Sequence, residues 1–158
     1  MFREMRRGKQ ILSLEENESI LKNSTSGVLA LSGDCGYPYT VPLSYVYEDN
    51  KLYFHCAVEG HKIDAIKTCD KASFCVVFQD DILPEKYTTL YKSVIAFGKV
   101  KLICGEDMIK PLEVLTRKYV KSSEREMQAE IDRFKDKMYI IEFNIEHLTG
   151  KQCVEFIK

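Results

Sequence analysis

Lys51-Leu-Tyr-Phe-His-Cys-Ala-Val-Glu-Gly-His-Lys62 changes its period halfway along. In the first half Leu52, Phe54 and Cys56 alternate with Lys51, Tyr53, His55 and Ala57. Successive side chains of a strand point to opposite faces, so this is a strand with one strongly apolar face. His55 lies on the other face. In the second half Gly60 precedes His61 and Lys62, and Ile63 and Ile66 follow at helical spacing. The pattern predicts a helix from this glycine to Thr68, with Ile63 and Ile66 inward.

Upstream, Gly27–Ser32 is a compact apolar run and Gly33-Asp-Cys-Gly36 reads as a hairpin turn. Residues 37–47 are rich in strand formers, and Glu48-Asp-Asn50 is a second turn. Three strands joined by short turns pair antiparallel. Ser13-Leu-Glu-Glu16 is a capping box that opens a short helix to about Lys22. Before it, Arg3, Arg6, Arg7 and Lys9 form a basic stretch, either a solvated tail or an anion contact.

Downstream, Ala72–Phe78 reads as a fully buried strand, 79–90 as a loop around Asp80-Asp81 and Pro84, and Tyr91–Cys104 as a long strand with Lys99 and Lys101 on one face. Residues 106–119 place Leu112, Leu115 and Tyr119 on one helical stripe, with Pro111 in the first turn or bending it. Ser123-Glu-Arg-Glu126 caps another helix, carrying Met127, Ile131 and Phe134. Lys137–Ile145 is a last strong strand, and a short one is expected around Cys153–Ile157. Five or six strands with few helices suggest a small barrel over one domain, 1–158.

With 158 residues, 45% of them hydrophobic and 30% charged, the chain is long enough to bury its own core. A net charge of −1 argues against a broad nucleic-acid footprint. No apolar run approaches the ~18–20 residues of a membrane span, and no signal-peptide core follows the first charges. The expected location is the cytoplasm. The six cysteines include no C-x-x-C pair and read as small apolar residues in a reducing compartment, with no metal site. There is no glycine-rich phosphate loop and no Gly-x-Ser-x-Gly elbow, and nothing brings a Ser–His–Asp set together.

Three segments could carry chemistry. The turn at Gly60-His61-Lys62 offers helix-start amides, a glycine that permits close backbone approach, and a cation. Those features suit a phosphate; from spacing alone, a plain strand-to-helix turn with a solvated lysine is the better reading. Pro42, in Tyr39-Thr-Val-Pro-Leu-Ser-Tyr45, marks an edge, a bulge or a stop in pairing. That leaves free amides for a planar ligand, or simply protects an edge strand. Ser93, in Tyr91-Lys-Ser-Val-Ile-Ala-Phe-Gly98, offers a hydroxyl to an anion.

Taken in order, the capped helix, the Gly-x-Pro-x-x-x-Pro-Leu strand, x-Phe-His-x-Ala-x-x-Gly-x-Lys and Tyr-x-Ser-Val-x-x-x-Gly resemble the pyridoxamine 5′-phosphate oxidase-like FMN-binding split-barrel proteins. Within them the chain is most similar to the nitroimidazole-resistance (NimA-type) branch, from about Met5 to about Cys153. The resemblance implies a mainly β fold with flanking helices, a six-stranded split β-barrel. It implies a homodimer with the flavin at the subunit interface. Val41, Pro42, Leu43 and Ser44 would line the isoalloxazine, largely through backbone. Ala57, Gly60, His61 and Lys62 would approach the phosphate or ribityl chain. Lys62 would neutralise phosphate charge and Ser93 would hydrogen-bond it, with Tyr91 and Val94 at the same site. Tyr45, Tyr91 and Phe97 are the aromatics left to stack the ring in a chain without tryptophan.

His55 matches a histidine near the flavin in this branch, which makes it both a cofactor-site residue and the catalytic candidate, touching substrate or supplying a proton. Lys151 recurs in this branch without an assigned role. The implied activity is reduction of a small planar acceptor, such as a 5-nitroimidazole or other nitro-aromatic compound, with NAD(P)H or another donor. A non-catalytic FMN-binding protein for storage or sensing is the alternative, and a barrel without cofactor, acting only in interactions, is a third. The absence of a second basic cluster beside Lys62 argues against a vitamin B6 phosphate oxidase, which needs one for its substrate, unless Arg6-Arg7 serves.

Overall fold

The computed structural model describes residues 1–121 and 123–157. Ser13 opens the first helix as its sequence predicts. The Glu16 amide donates to Ser13 Oγ at 3.2 Å, and the Ser13 amide donates to Glu16 Oε2 at 2.9 Å, capping α1 (Leu14–Asn23). The strands follow as β1 (Ser26–Ser32), β2 (Pro38–Ser44), β3 (Val46–Glu48) and β4 (Lys51–Ala57). Then come α2 (His61–Thr68), β5 (Lys71–Leu83), β6 (Thr88–Ile103), α3 (Ile109–Tyr119), α4 (Glu124–Phe134) and β7 (Met138–Gln152). All pairings are antiparallel, in the order β2-β1-β5-β6-β7-β4-β3. The fold is a mainly antiparallel sheet with flanking helices, a split β-barrel.

Four local expectations change. Seven strands replace six because 37–47 is broken at Tyr45, and its halves lie at opposite ends of the sheet order. The break is held by tertiary hydrogen bonds. The Tyr45 amide donates to Tyr119 Oη at 3.0 Å, Tyr119 shares its own proton between the carbonyls of Thr25 and Tyr45, and Tyr45 Oη donates to Leu21 O at 2.8 Å. Residues 79–90 are no loop: Asp80 pairs with Tyr91 and Leu83 with Thr88, so β5 and β6 run on as a hairpin arm past a bulge between Val77 and Gln79. Ala72–Phe78 is not fully buried, since Val77 and Phe78 are exposed. The tail beyond β7 forms a 3-10 turn over Val154–Phe156 rather than a strand. Pro111 is the third residue of α3, within its first turn.

Leu52, Phe54 and Cys56 point into the barrel with Leu29, Phe74 and Phe143. Tyr53, on the opposite face, joins a second cluster with Ile140 beneath Leu112, Leu115, Met127 and Ile131 of α3 and α4. The two apolar stripes of those helices are thus spent on the outside of β4 and β7. Gly98 sits at a bulge between β6 and β7, where a Cβ would stand 2.0 Å from Asn144 O, so no larger residue fits.

Candidate functional site

The barrel is open along one seam. β2 lies at one end of the sheet order and, among the described residues, pairs only with β1, so its other backbone edge is free there. At the opposite end, β3 pairs with Lys51–Tyr53 and no further. Phe54–Ala57 of β4 therefore has β7 on one side and no strand on the other. The Tyr45 corner joins these two edges, and α2 follows from the far end of β4.

Most of the predicted residues come together on this seam. Along β2 the side chains alternate: Val41 and Leu43 pack on the barrel core, while Pro42 and Ser44 are exposed. Pro42 stands opposite Val28 on an edge strand, where its missing N–H costs no ladder bond. On β4, His55 and Ala57 are exposed on the side away from the core. Ser44 and His55 line one cavity.

At the start of α2, Gly60 has φ +118°, a conformation that side chains rarely adopt, and the space beside its Cα is open. The amides of Ile63 and Asp64 both donate to Gly60 O, at 2.8 and 3.2 Å. Those of His61 and Lys62 begin the helix with no carbonyl a turn behind them. The His61 ring stacks on Tyr39 of β2 at 4.0 Å and its Nε2 lies 3.4 Å from Asp34 Oδ2. It thereby ties α2 to β2 across the seam. Lys62 is half-buried and is not among the lysines that form ion pairs in the described residues. Its charge reaches the Cys56 thiol, but burial dominates there and pushes that thiol up to about 11. Glu59 is exposed.

These residues fit a phosphate-bearing planar cofactor. The phosphate needs charge-assisted donors, which Lys62 and the first amides of α2 supply beside an open glycine. The ring needs an apolar wall with backbone donors and acceptors, which the free edge of β2 supplies.

The β6 residues stand elsewhere. Tyr91 and Ser93 are half-buried on the outward side of β6, the side that carries Ile95 and Phe97, and Ser93 lies between Val77 of β5 and Lys151 of β7. Lys151 Nζ sits 5.3 Å from the Tyr91 ring centroid. Val94 is enclosed in the barrel core, so only its backbone can meet a ligand. Tyr45 is likewise fully buried, which removes it as a stacking partner. Arg7 turns back to Gln10 at 3.4 Å.

No local pattern in the sequence singles out Tyr39 or the roof of the His55 cavity. Leu115 and Tyr119 of α3 and Met127 and Phe134 of α4 close over Ser44 and His55. Their helical stripes were visible, but nothing local shows which strand they cover.

Known proteins share this architecture. A protein from Bacteroides thetaiotaomicron, provisionally assigned to 5-nitroimidazole antibiotic resistance, superposes with a TM-score of 0.75 at 21% identity, over 90% of this chain and 86% of that one. A conserved hypothetical protein from Mycobacterium tuberculosis gives a TM-score of 0.80 at 15% identity, over 94% and 90%. An FAD-binding protein from Mesorhizobium loti gives 0.61 at 25% identity, over 90% and 95%. No curated protein matches the chain. The family model described as pyridoxamine 5′-phosphate oxidase matches residues 13–152, which takes in α1, all seven strands and the whole seam. The chain belongs to the pyridoxamine 5′-phosphate oxidase family.

Proposed function

We propose that the protein binds FMN along the seam and passes reducing equivalents from NAD(P)H or another donor to a small planar acceptor of the nitro-aromatic kind. One observation carries the reading. The seam sets an open, glycine-started helix turn with an unpaired lysine at one end, and an exposed histidine two residues before the end of β4. FMN would supply the electron transfer. The chain's own residues do the rest. Lys62 and the α2 amides hold the phosphate, and Val41–Ser44 offer backbone groups and an apolar wall to the ring. His55 faces the cavity where an acceptor would lie and gives it a proton from the imidazole. The FAD-binding Mesorhizobium loti protein shares the architecture at 25% identity, which supports a flavin.

The site is completed by a second copy of the chain. Ser93 lies on an outward face whose apolar residues, Val28, Ile95 and Phe97, are left 37–40% exposed. A twofold pairing over that face buries them and carries the Ser93 and Tyr91 of one copy toward the seam of the other.

Lys62→Ala tests the phosphate role. Its FMN affinity is expected to fall about 10–100-fold while riboflavin affinity barely moves, since a charge-assisted bond to phosphate is worth ~1.5–3 kcal/mol. Equal weakening of both in fluorescence titrations defeats the assignment. His55→Ala is expected to keep FMN and to slow anaerobic reduction of a nitroimidazole by about 10²-fold or more. An unchanged rate removes the proton-donor role.

A further inference from the structure

The cavity that contains His55 has about 450 Å³ of free volume, within the range that holds small organic molecules. Its walls are Leu112 and Leu115 of α3, Met127, Ile131 and Phe134 of α4, and Met138 at the start of β7. The few polar side chains divide into two groups. Thr116 already donates its hydroxyl to Leu112 O at 2.8 Å, and Tyr119 already spends its proton on the Thr25 and Tyr45 carbonyls. His55 remains as the uncommitted side-chain donor at the barrel wall, because the Ser44 hydroxyl already meets the Tyr119 phenol. Glu130, 63% exposed and paired with Arg133 at 3.7 Å, places a carboxylate among the lining residues on the solvent side.

We infer that this cavity is the acceptor pocket of the proposed reaction, and that it takes an uncharged, elongated apolar molecule presenting one hydrogen-bond acceptor to His55. The inference rests on the flavin reading for its catalytic meaning; the binding itself does not need the flavin. An apolar enclosure of this size gains from burying rings or aliphatic chain. An anion would meet Glu130 and lose hydration among leucine and methionine side chains. A ligand polar along its whole length would leave most of its groups unpaired against those walls. The one end where a carbonyl or nitro oxygen is met by a free side-chain donor is the end at His55, beside the seam. The roof helices α3 and α4 therefore set acceptor specificity, while β2, β4 and α2 hold the cofactor.

The test uses 2-acetonaphthone, a neutral two-ring ketone, and 2-naphthoate, its anionic counterpart, in equilibrium dialysis against the full chain with and without FMN. Thr116→Trp fills the cavity from α3, and Val120→Trp does so from an exposed position at the end of that helix where a fold defect is not expected. The ketone is expected to bind both forms of the protein at least 10-fold more tightly than the carboxylate, and both tryptophan variants are expected to weaken it 10-fold or more with FMN affinity unchanged. Ketone binding that survives both variants, carboxylate binding as tight as the ketone's, or no ketone binding at all overturns the inference. Ketone binding that responds to the variants in a chain that refuses FMN keeps the pocket and defeats the flavin reading instead.

Discussion

Tyr53 and Ile140, on the outer face of β4 and β7, are buried beneath α3 and α4, whereas Val28, Ile95 and Phe97, on the outer face of β1 and β6, remain 37–40% exposed. The strands obey the same alternation in both halves. What differs is the supply of cover. The covered half receives two amphipathic helices from later in the chain. Among the described residues the bare half receives only the N-terminal segment, whose Phe2 ring stacks on His147 at 4.5 Å and meets Phe97 at 5.6 Å. The register sets Pro42, Val28, Cys75 and Ile95 in one row across four strands. Single exposed apolar residues are ordinary, but a contiguous row marks a surface made to be covered. The proposed dimer covers it.

A charge separates the two halves most strongly. Ile95→Asp is expected to weaken the dimer on the order of 10³-fold, because an unpaired buried charge costs ~3–5 kcal/mol, and to release FMN with it. The stability of the single copy should scarcely move. Light scattering that still finds a dimer would show that this face is not the interface. Ile140→Ala, on the covered half, should do the reverse. It should cost ~2–5 kcal/mol in urea unfolding, as cavity-forming core truncations do, and leave the oligomer alone.

The pH dependence of stability sharpens the same comparison from the covered side. Lys118, near the end of α3, donates to Ser24 O at 2.5 Å and lies 4.3 Å from the Tyr45 ring centroid. Burial pushes its ammonium down to about 8, from an ordinary 10.5. Above about 8 the folded chain therefore binds fewer protons than the unfolded one, and stability rises with pH. From about 9 the sign is opposed, because burial raises the Cys56 thiol and, above 10, the Tyr45 phenol, and the folded chain keeps protons that the unfolded one gives up. Between about pH 8 and pH 9, then, unfolding free energy should climb by about 0.5 kcal/mol after allowance for solvent screening. Lys118→Met should flatten that climb. A slope that persists in the variant assigns it to another group.

Which half of the surface is covered could not be read locally. The change of period across residues 51–62, both capping boxes and the stripes of α3 and α4 are short-range patterns, and they fold as their residues dictate. The break at Tyr45 is different in kind: its partner Tyr119 lies 74 residues away, and a run of strand formers gives no hint of it. The arm over 79–90 misleads for the opposite reason. Asp80, Asp81 and Pro84 carry turn chemistry, yet they are exposed, so backbone pairing with β6 proceeds without any apolar alternation. For the site, the spacing of His55, Gly60 and Lys62 marked where β4 hands over to α2, at one end of the seam. Its roof depended on α3 and α4 returning across the sheet to β4, a tertiary fact with no trace in either segment.

The smallest expected effect comes from the two capping boxes, one on each kind of helix. Ser13 caps α1, which packs on the barrel itself; Ser123 caps α4, which only roofs it. In the second box the Ser123 amide donates to Glu126 Oε2 at 2.9 Å and the hydroxyl does so at 2.8 Å, which holds the Glu126 carboxyl below its usual range. Ser13→Ala and Ser123→Ala should each cost about 1 kcal/mol of helix stability, the usual worth of an N-cap. The consequences should differ in place. Hydrogen exchange in Ser13→Ala should quicken in α1 and leave the amides of α4 alone. In Ser123→Ala it should quicken across α4 by local opening, with the barrel strands unchanged, because a roof fixed to the barrel by one apolar stripe can lift without unfolding what lies beneath it. Equal acceleration of barrel and roof in Ser123→Ala would mean that α4 belongs to the same cooperative unit as the strands, and the two halves of the surface would then differ in exposure alone.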